Sequence, residues 1–172
     1  MRLGFPTPER APTPQNASGA EIYGIWHDAV ESAIRSAPNT LFVCAAGNNN
    51  RNAGFGQDVP ASLHLPNLVS VGAVNKTGME TSFTSYGDTV VVHANGWEVE
   101  SYVPGGSRMR MSGTSMAAPN VANLAAKLIA LDPSLTPVQV IDLIERGATE
   151  SADGRLHLID AKSSVALLEA RK

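Results

Sequence analysis

Apolar residues recur at helical intervals in some parts of the chain and in short uninterrupted runs in others. Ser18 and Glu21 have the spacing of a capping box, and the apolar positions after them return every three or four residues as far as Ile34. This pattern predicts a helix that ends at Pro38 and Asn39. Its apolar face comprises Ile22, Ile25, Trp26, Ala29, Val30, Ala33 and Ile34.

Three short apolar runs follow this helix, at residues 41–46, 68–74 and 89–93. Continuous runs of this kind are typical of strands that are buried on both faces of a parallel sheet. Residues 104–106, Pro-Gly-Gly, predict the turn of a hairpin. The first half of the chain therefore supplies strands as well as a helix.

The second half of the chain is predicted to be mainly helical. One helix starts near Ser115 and stops before Asp132, the capping box at Thr136 starts another that ends at Gly147, and the last begins at Asp160. The apolar stripe of the first of these is Val121, Leu124, Leu128 and Leu131. Buried strands followed by helices indicate an α/β fold in which a mainly parallel sheet lies between helices.

The composition is that of a folded protein whose core consists of aliphatic and small residues. Hydrophobic residues make up 43% of the chain, charged residues 17% and aromatic residues 5%, whereas disordered chains are less apolar and more charged. The formal net charge of −3 offers no basic excess for nucleic acid. No run approaches the ~18 apolar residues of a membrane helix. We expect neither a nucleic-acid partner nor a membrane span.

The chain of 172 residues fits one domain or a portion of a larger one, without an internal boundary. Residues 6–19 are rich in Pro, Asn, Ser and Gly and lack an apolar period, which predicts a surface loop. Cys44 is the only cysteine, so no internal disulfide can form. The cysteine count leaves the cellular compartment open.

The residues around Ser115 carry the clearest chemical signal. Gly113 permits a tight turn before it, and Pro119 is expected in the first helical turn, where backbone N–H groups have no partner within the helix. A hydroxyl at a helix start lies near free N–H donors and the positive end of the helix dipole, an environment that suits a nucleophile. The same position suits an N-cap serine, the more common role there. Position alone decides for neither.

Two segments resemble those of the subtilisin-like serine proteases. GTSMAAPNVANLAAKLIAL, residues 113–131, looks like the family segment in which the nucleophilic serine opens a long buried helix, and AAGNNN, residues 45–50, looks like the family's AAGN. The resemblance implies that Ser115 is the nucleophile and that the Asn48 side chain donates a hydrogen bond to the oxyanion. It also implies that Ala45, Ala46 and Gly47 wall the primary specificity pocket. By itself, Asn48 would equally suit a turn.

The resemblance extends in order along nearly the whole chain. The segments at residues 66–74, 81–87, 90–106 and 154–161 look like consecutive pieces of the family's domain. MRLGF at residues 1–5 looks like the end of the strand that binds the substrate backbone, with Leu3 and Gly4 in the matching places. The implied fold is the three-layer subtilisin-like fold, incomplete on its N-terminal side, with residues 1–172 as the C-terminal portion of one peptidase domain.

The family's Asp and His motifs are absent from the chain and would precede Met1. No D-[ST]-G occurs, and none of the four histidines is followed by Gly-Thr. We therefore expect the missing N-terminal part of the domain as a partner, and no protease activity from these residues alone. The carboxylates of Asp58, Glu80 and Asp88 lack ligand spacing, so no calcium site is placed although the family commonly has one. No organic cofactor is expected.

The resemblance implies a serine endopeptidase that acts on polypeptides, secreted or in the cell envelope. An Ala-Ala-Gly wall without a charge predicts an apolar or broadly tolerant primary pocket. Two alternatives stay open. In the first, the chain is a non-catalytic relative or interaction module without the Asp and His. In the second, it is an unrelated α/β small-molecule-binding domain in which Ser115 only caps a helix.

Overall fold

The computed structural model describes residues 18–54 and 58–171. The helices are α1 Gly19–Arg35, α2 Thr114–Leu131, α3 Pro137–Gly147 and α4 Ala161–Glu169. The strands are β1 Phe42–Ala45, β2 Leu68–Val74, β3 Val90–Asn95, β4 Val99–Tyr102, β5 Arg108–Met111, β6 Thr149–Glu150 and β7 His157–Leu158. In the described part of the chain, no helix combines the length and apolarity needed to cross a bilayer.

Five strands form one sheet in the order β1-β2-β3-β7-β6. The pairs β1–β2, β2–β3 and β3–β7 are parallel, and only β6–β7 is antiparallel. β4 and β5 form a separate antiparallel hairpin directly before α2. The predicted α/β class with a mainly parallel sheet is confirmed, and so is the hairpin around residues 104–106.

One face of the sheet is closed by α2, α3 and α4. Because side chains alternate along a strand, Val69, Val71 and Ala73 of β2 all point to this face. α2 lies against β1, β2 and β3, and α3 and α4 pack outside it. The buried cluster here comprises Val69, Val71, Ala73, Val92, Ala94, Ala117, Val121, Leu124, Ala125, Leu128, Val140, Leu143, Ile144 and Leu168.

The opposite face is covered by α1 and the segment at residues 59–65. Phe42 and Cys44 of β1 point to this side, where Ile34 of α1 packs with Leu63, Leu65 and Leu68. The sheet therefore has helices on both faces, in three layers. The second cluster is smaller, and Ile34 is the only fully buried residue of α1.

The helix signals in the sequence are confirmed at most positions. Ser18 caps α1, with the Ser18 N–H donating to Glu21 Oε2 at 2.7 Å and the Glu21 N–H to Ser18 Oγ at 3.3 Å. Thr136 forms the same box for α3, and Asp160 caps α4. Each cap satisfies backbone N–H groups that the helix itself leaves unpaired.

Several predicted details are wrong. Gly19 is already helical, so the loop predicted for residues 6–19 ends earlier, and residues 6–17 lie outside the described part. β1 is only half-buried because it is an edge strand among the described residues. The apolar face predicted for the first helix is partly open, with Ile25 49% and Trp26 65% exposed, and Leu131 is 50% exposed at the end of α2.

Candidate active site

Ser115 is the second residue of α2, and it is exposed. The N-cap is Gly113, and no side chain caps this helix, so the interpretation of Ser115 as the N-cap is wrong. The Met116 N–H donates to the Gly113 carbonyl at 3.0 Å, whereas the Ser115 N–H has no acceptor among the described residues. The hydroxyl and a free backbone donor therefore share the positive end of a helix of 18 residues.

Asn48 lies beside this helix start, in the turn after β1. Its Oδ1 accepts a hydrogen bond from the Thr114 N–H at 2.9 Å and another from Thr114 Oγ1 at 3.0 Å. A backbone N–H can only donate, so the amide oxygen must face Thr114 and the Nδ2 group is turned away from it. No described residue accepts a hydrogen bond from Nδ2. Asn48 thus presents a free donor next to the residue that precedes Ser115.

Thr114 joins the two predicted segments, a role that the sequence pattern did not predict. Its fully buried hydroxyl donates to Asn48 Oδ1 and accepts a hydrogen bond from the Gly47 N–H at 3.2 Å. The turn after β1 is therefore fastened to the first residue of α2 by three hydrogen bonds. The sequence signal for this role is the position of Thr114, a hydroxyl-bearing residue between Gly113 and Ser115.

The three residues predicted to wall the pocket differ in how far they are exposed to a ligand. Ala46 is fully buried and packs with Ala53, Ala61 and Val90, so only its backbone can face a ligand. Ala45 and Gly47 are partly exposed on either side of it. Leu3 and Gly4, the residues predicted to bind the substrate backbone, lie outside the described residues.

Pro119 is inside α2 and not in its first turn. Because the helix begins at Thr114, the nitrogen of Pro119 stands where an N–H would bond to the Ser115 carbonyl. The expectation that this proline removes no helical hydrogen bond is therefore wrong. The missing bond lies at the carbonyl of Ser115 itself.

No histidine among the described residues forms a hydrogen bond with Ser115. His27 lies on α1 with Asp28 3.2 Å away, and His64 faces Asp88 at 3.9 Å. His93 is buried in β3, where its Nδ1 accepts from the His157 N–H at 3.4 Å. Burial, followed by the nearby charges of His157 and Arg155, lowers the pKa of His93 to about 4. These contacts agree with structural roles for all four histidines.

Metal binding finds no support in the described residues. No group of three or more His, Cys, Asp or Glu side chains there could hold an ion. Asp58 pairs with Arg51 at 2.6 Å and Glu80 with Arg155 at 2.9 Å, while Asp88 is a largely exposed carboxylate. These carboxylates are dispersed, so they do not fit the calcium that subtilisin-like proteases commonly bind.

Comparison with known proteins identifies relatives over most of the chain. The model of the subtilase family matches residues 12–160. Subtilisin amylosacchariticus, from Bacillus subtilis subsp. amylosacchariticus, is 37% identical over 120 residues, which are 70% of this chain and 31% of that protein. The cell wall-associated protease of Bacillus subtilis strain 168 is 38% identical over 120 residues, 67% of this chain and 13% of that protein.

A solved structure supports the same relationship. The crystal structure of a cold-adapted subtilisin-like serine proteinase matches with a TM-score of 0.68 at 34% identity, over 78% of this chain and 49% of that one. The chain spans about a third of the length of the subtilisin that it matches. These matches exclude an unrelated small-molecule-binding domain, and the chain belongs to the subtilase family.

Proposed function

We propose that this chain is the C-terminal portion of the catalytic domain of a serine endopeptidase, with Ser115 as the nucleophile and Asn48 as an oxyanion donor. The observation that carries the proposal is the pair of hydrogen bonds from Thr114 to Asn48 Oδ1. They turn the Asn48 Nδ2 donor away from the helix backbone, next to a serine whose own N–H is free. Acyl transfer needs this combination of an exposed hydroxyl and two donors.

The reaction follows from these atoms. The Ser115 Oγ attacks the peptide carbonyl while a base takes its proton, and the carbonyl oxygen gains a negative charge. The Ser115 N–H and Asn48 Nδ2 donate to that oxygen. The C–N bond then breaks as the amine nitrogen is protonated, and water hydrolyses the resulting ester of Ser115.

The base and the residue that orients it come from outside this chain in the proposal. A serine hydroxyl is a weak nucleophile without a neighbouring base, and the described histidines are engaged on α1, beside Asp88 and in β3. We therefore expect the Asp and His of the triad in a preceding part of the same domain. The 172 residues alone are then inactive toward peptides.

The substrate class is polypeptide, and we place the complete protein outside the cell or in its envelope. One relative is named as a cell wall-associated protease. Leu3 and Gly4 keep their proposed role in binding the substrate backbone, and Ala45, Ala46 and Gly47 their role as the pocket wall. The competing possibility is a relative that keeps the fold without the triad Asp and His.

Labelling with a fluorophosphonate tests the nucleophile, because the reagent reacts only with an activated serine. We expect no rapid labelling of the chain alone, and stoichiometric labelling of Ser115 once a fragment with the family's Asp and His segments is added. Ser115→Ala is the negative control. Rapid labelling of the chain alone would show a base within these residues, and no labelling after addition of the fragment would favour the non-catalytic relative.

The proposed oxyanion donor has its own test in the same complemented system. Removing one donor of this kind in subtilisin lowers kcat by roughly 100- to 1,000-fold, so Asn48→Ala should slow peptide hydrolysis by a comparable factor. Asn49→Ala, at the adjacent exposed position, is the matched control and should leave the rate unchanged. Equal rates for both variants would remove Asn48 from the mechanism.

A further inference from the structure

The glycine of the proposed pocket wall lies directly against two polar side chains. Gly47 has a φ of +107°, and a Cβ atom built on it would lie 3.0 Å from Ser85 Oγ and 3.4 Å from Asp58 Oδ2. The Ser85 N–H also donates to the Gly47 carbonyl at 2.9 Å, which holds Ser85 at this position. A hydroxyl and a carboxylate oxygen therefore face the same point of the backbone, one residue before Asn48.

Ser85 carries a buried hydroxyl that has no hydrogen-bond partner among the described residues. The residue is fully buried, and its Oγ makes no hydrogen bond with any described residue. A buried hydroxyl without a partner costs about 1–3 kcal/mol, so a water, an ion or a ligand group is expected to complete its hydrogen bonding. This hydroxyl lies at Gly47, where the carboxylate of Asp58 also is.

The Asp58 carboxylate accepts a guanidinium group in the structure. Arg51 approaches it with two nitrogens, Nη2 at 2.6 Å from Oδ1 and Nε at 3.2 Å from Oδ2. This is the paired geometry with which a guanidinium binds a carboxylate. The Arg51 side chain is 48% exposed, whereas that of Asp58 is only 23% exposed. A half-exposed arginine thus covers a more sheltered negative charge.

The Arg51–Asp58 pair is open to competition by other cations, because the Arg51 side chain is about half exposed. Exposed ion pairs contribute about 0–1 kcal/mol to stability, and the paired geometry places this one toward the stronger end, so a cation of matching geometry is needed to replace Arg51 at Asp58. The chain would then keep its fold, because the Arg51 backbone is held separately by a hydrogen bond from the Tyr86 N–H to its carbonyl at 3.0 Å. Arg51 therefore occupies the position that a cationic ligand would take.

We propose that Asp58 is the specificity-determining residue of this site and selects polypeptide substrates with an arginine or lysine side chain next to the scissile bond. Arg51 covers the carboxylate until the substrate cation replaces it, and Ser85 Oγ donates to the carboxylate or to the polar end of the ligand. This inference rests on the proposed function and replaces the expectation of an apolar or tolerant pocket. That expectation considered only the Ala-Ala-Gly wall.

Binding of benzamidinium to the 172-residue chain tests the proposal without requiring catalysis. Its amidinium group mimics arginine, and benzamide is a neutral molecule of nearly the same shape. We expect benzamidinium to shift the ¹⁵N–¹H NMR signals of Gly47 and Ser85, with an affinity at least tenfold above that of benzamide. Equal affinities, or shifts confined to other residues, would overturn the proposal, and this comparison needs no variant.

Variants locate the effect on the two charged residues. Asp58→Asn should weaken benzamidinium binding at least tenfold, and Arg51→Ala should strengthen it severalfold because a competing cation is removed. Asp28→Asn, at an 85% exposed carboxylate on α1, is the matched control and should change nothing. If the Arg51–Asp58 pair only fastens its loop, both variants lower thermal stability equally and neither changes the affinity.

The benzamidinium test of the cation site can fail independently of the fluorophosphonate test of the proposed function. Ser115→Ala should bind benzamidinium as the unchanged chain does, because the cation site does not use the nucleophile. Binding that depends on Asp58, together with failed fluorophosphonate labelling, would keep the cation site and reject the protease. Successful labelling without Asp58-dependent binding would keep the protease and reject the cation site.

Discussion

The two faces of the sheet are closed to different extents. On one face, three helices cover an aliphatic cluster in which Val71, Val92 and Leu128 are fully inaccessible to solvent. On the other, α1 contributes a single fully buried residue, Ile34, and the sheet itself carries Ser70 and His93. The same strands supply both faces, since alternate residues point in opposite directions.

This difference shows where the described residues bury the sheet fully and where they do not. The face under α2 fixes the helix that begins at Thr114, so the geometry of Ser115 rests on a core built entirely from these residues. The face under α1 leaves Ile25 and Trp26 exposed on a helix with a clear apolar side. Exposed apolar surface of this kind is typical of an interaction site. We expect the proposed N-terminal part of the domain to cover this surface.

The largest expected effect tests the closed face. Leu128 is fully buried in α2, and Leu128→Ala should lower the free energy of unfolding by about 3–4 kcal/mol through lost burial and the cavity it leaves. Leu131→Ala removes the same atoms one turn later, where the side chain is 50% exposed, and should cost less than about 1 kcal/mol. Urea denaturation measures both values. Similar losses would mean that burial differs little along α2.

Sequence patterns predicted the closed face well because its signals are local. The capping box at Thr136 involves residues three apart, and the continuous apolar run of β2 directly reflects a strand buried on both sides. The exact start of α2 was missed by a residue. Gly113 caps it through its backbone, and no side-chain signal marks such a cap.

The site was predicted less completely because its contacts are distant in sequence. The hydrogen bonds between Thr114 and Asn48 join residues 66 positions apart, and no periodicity in either segment reveals them. Asp58 has no ligand spacing in the sequence, and its approach to Gly47 brings together residues eleven positions apart that share no motif. The apolar stripe of α1 predicted a buried face, but a stripe does not say which element covers it.

The next largest effect concerns the polar face and its dependence on pH. His93 is buried, and its pKa lies at about 4 instead of the ordinary value near 6.5. Between these values the unfolded chain binds more protons than the folded one, so stability falls as pH decreases from 6.5 to 4. The loss attributable to His93 is at most about 3 kcal/mol, at 1.36 kcal/mol for each pKa unit. Urea denaturation across this pH range measures it.

A variant isolates the contribution of His93. His93→Gln should flatten the slope of stability against pH, whereas His64→Gln, at a largely exposed histidine, should leave the slope unchanged. Glu145, whose pKa is raised by burial, contributes a slope of the opposite sign in every variant and therefore cancels in the comparison. An unchanged slope in His93→Gln would place the responsible group elsewhere.

The smallest expected effect on stability tests the open face. Trp26 is 65% exposed, so Trp26→Ser should change the free energy of unfolding by less than about 0.5 kcal/mol. It should, however, reduce self-association of the chain, because an exposed apolar face without its partner associates with other apolar surfaces. Sedimentation velocity over a range of concentrations measures the association. Glu31→Ser, on the same helix but engaged with Arg35, is the control and should not reduce it. A stability loss as large as that of Leu128→Ala would mean that α1 is covered after all, and the two faces would then be equally closed.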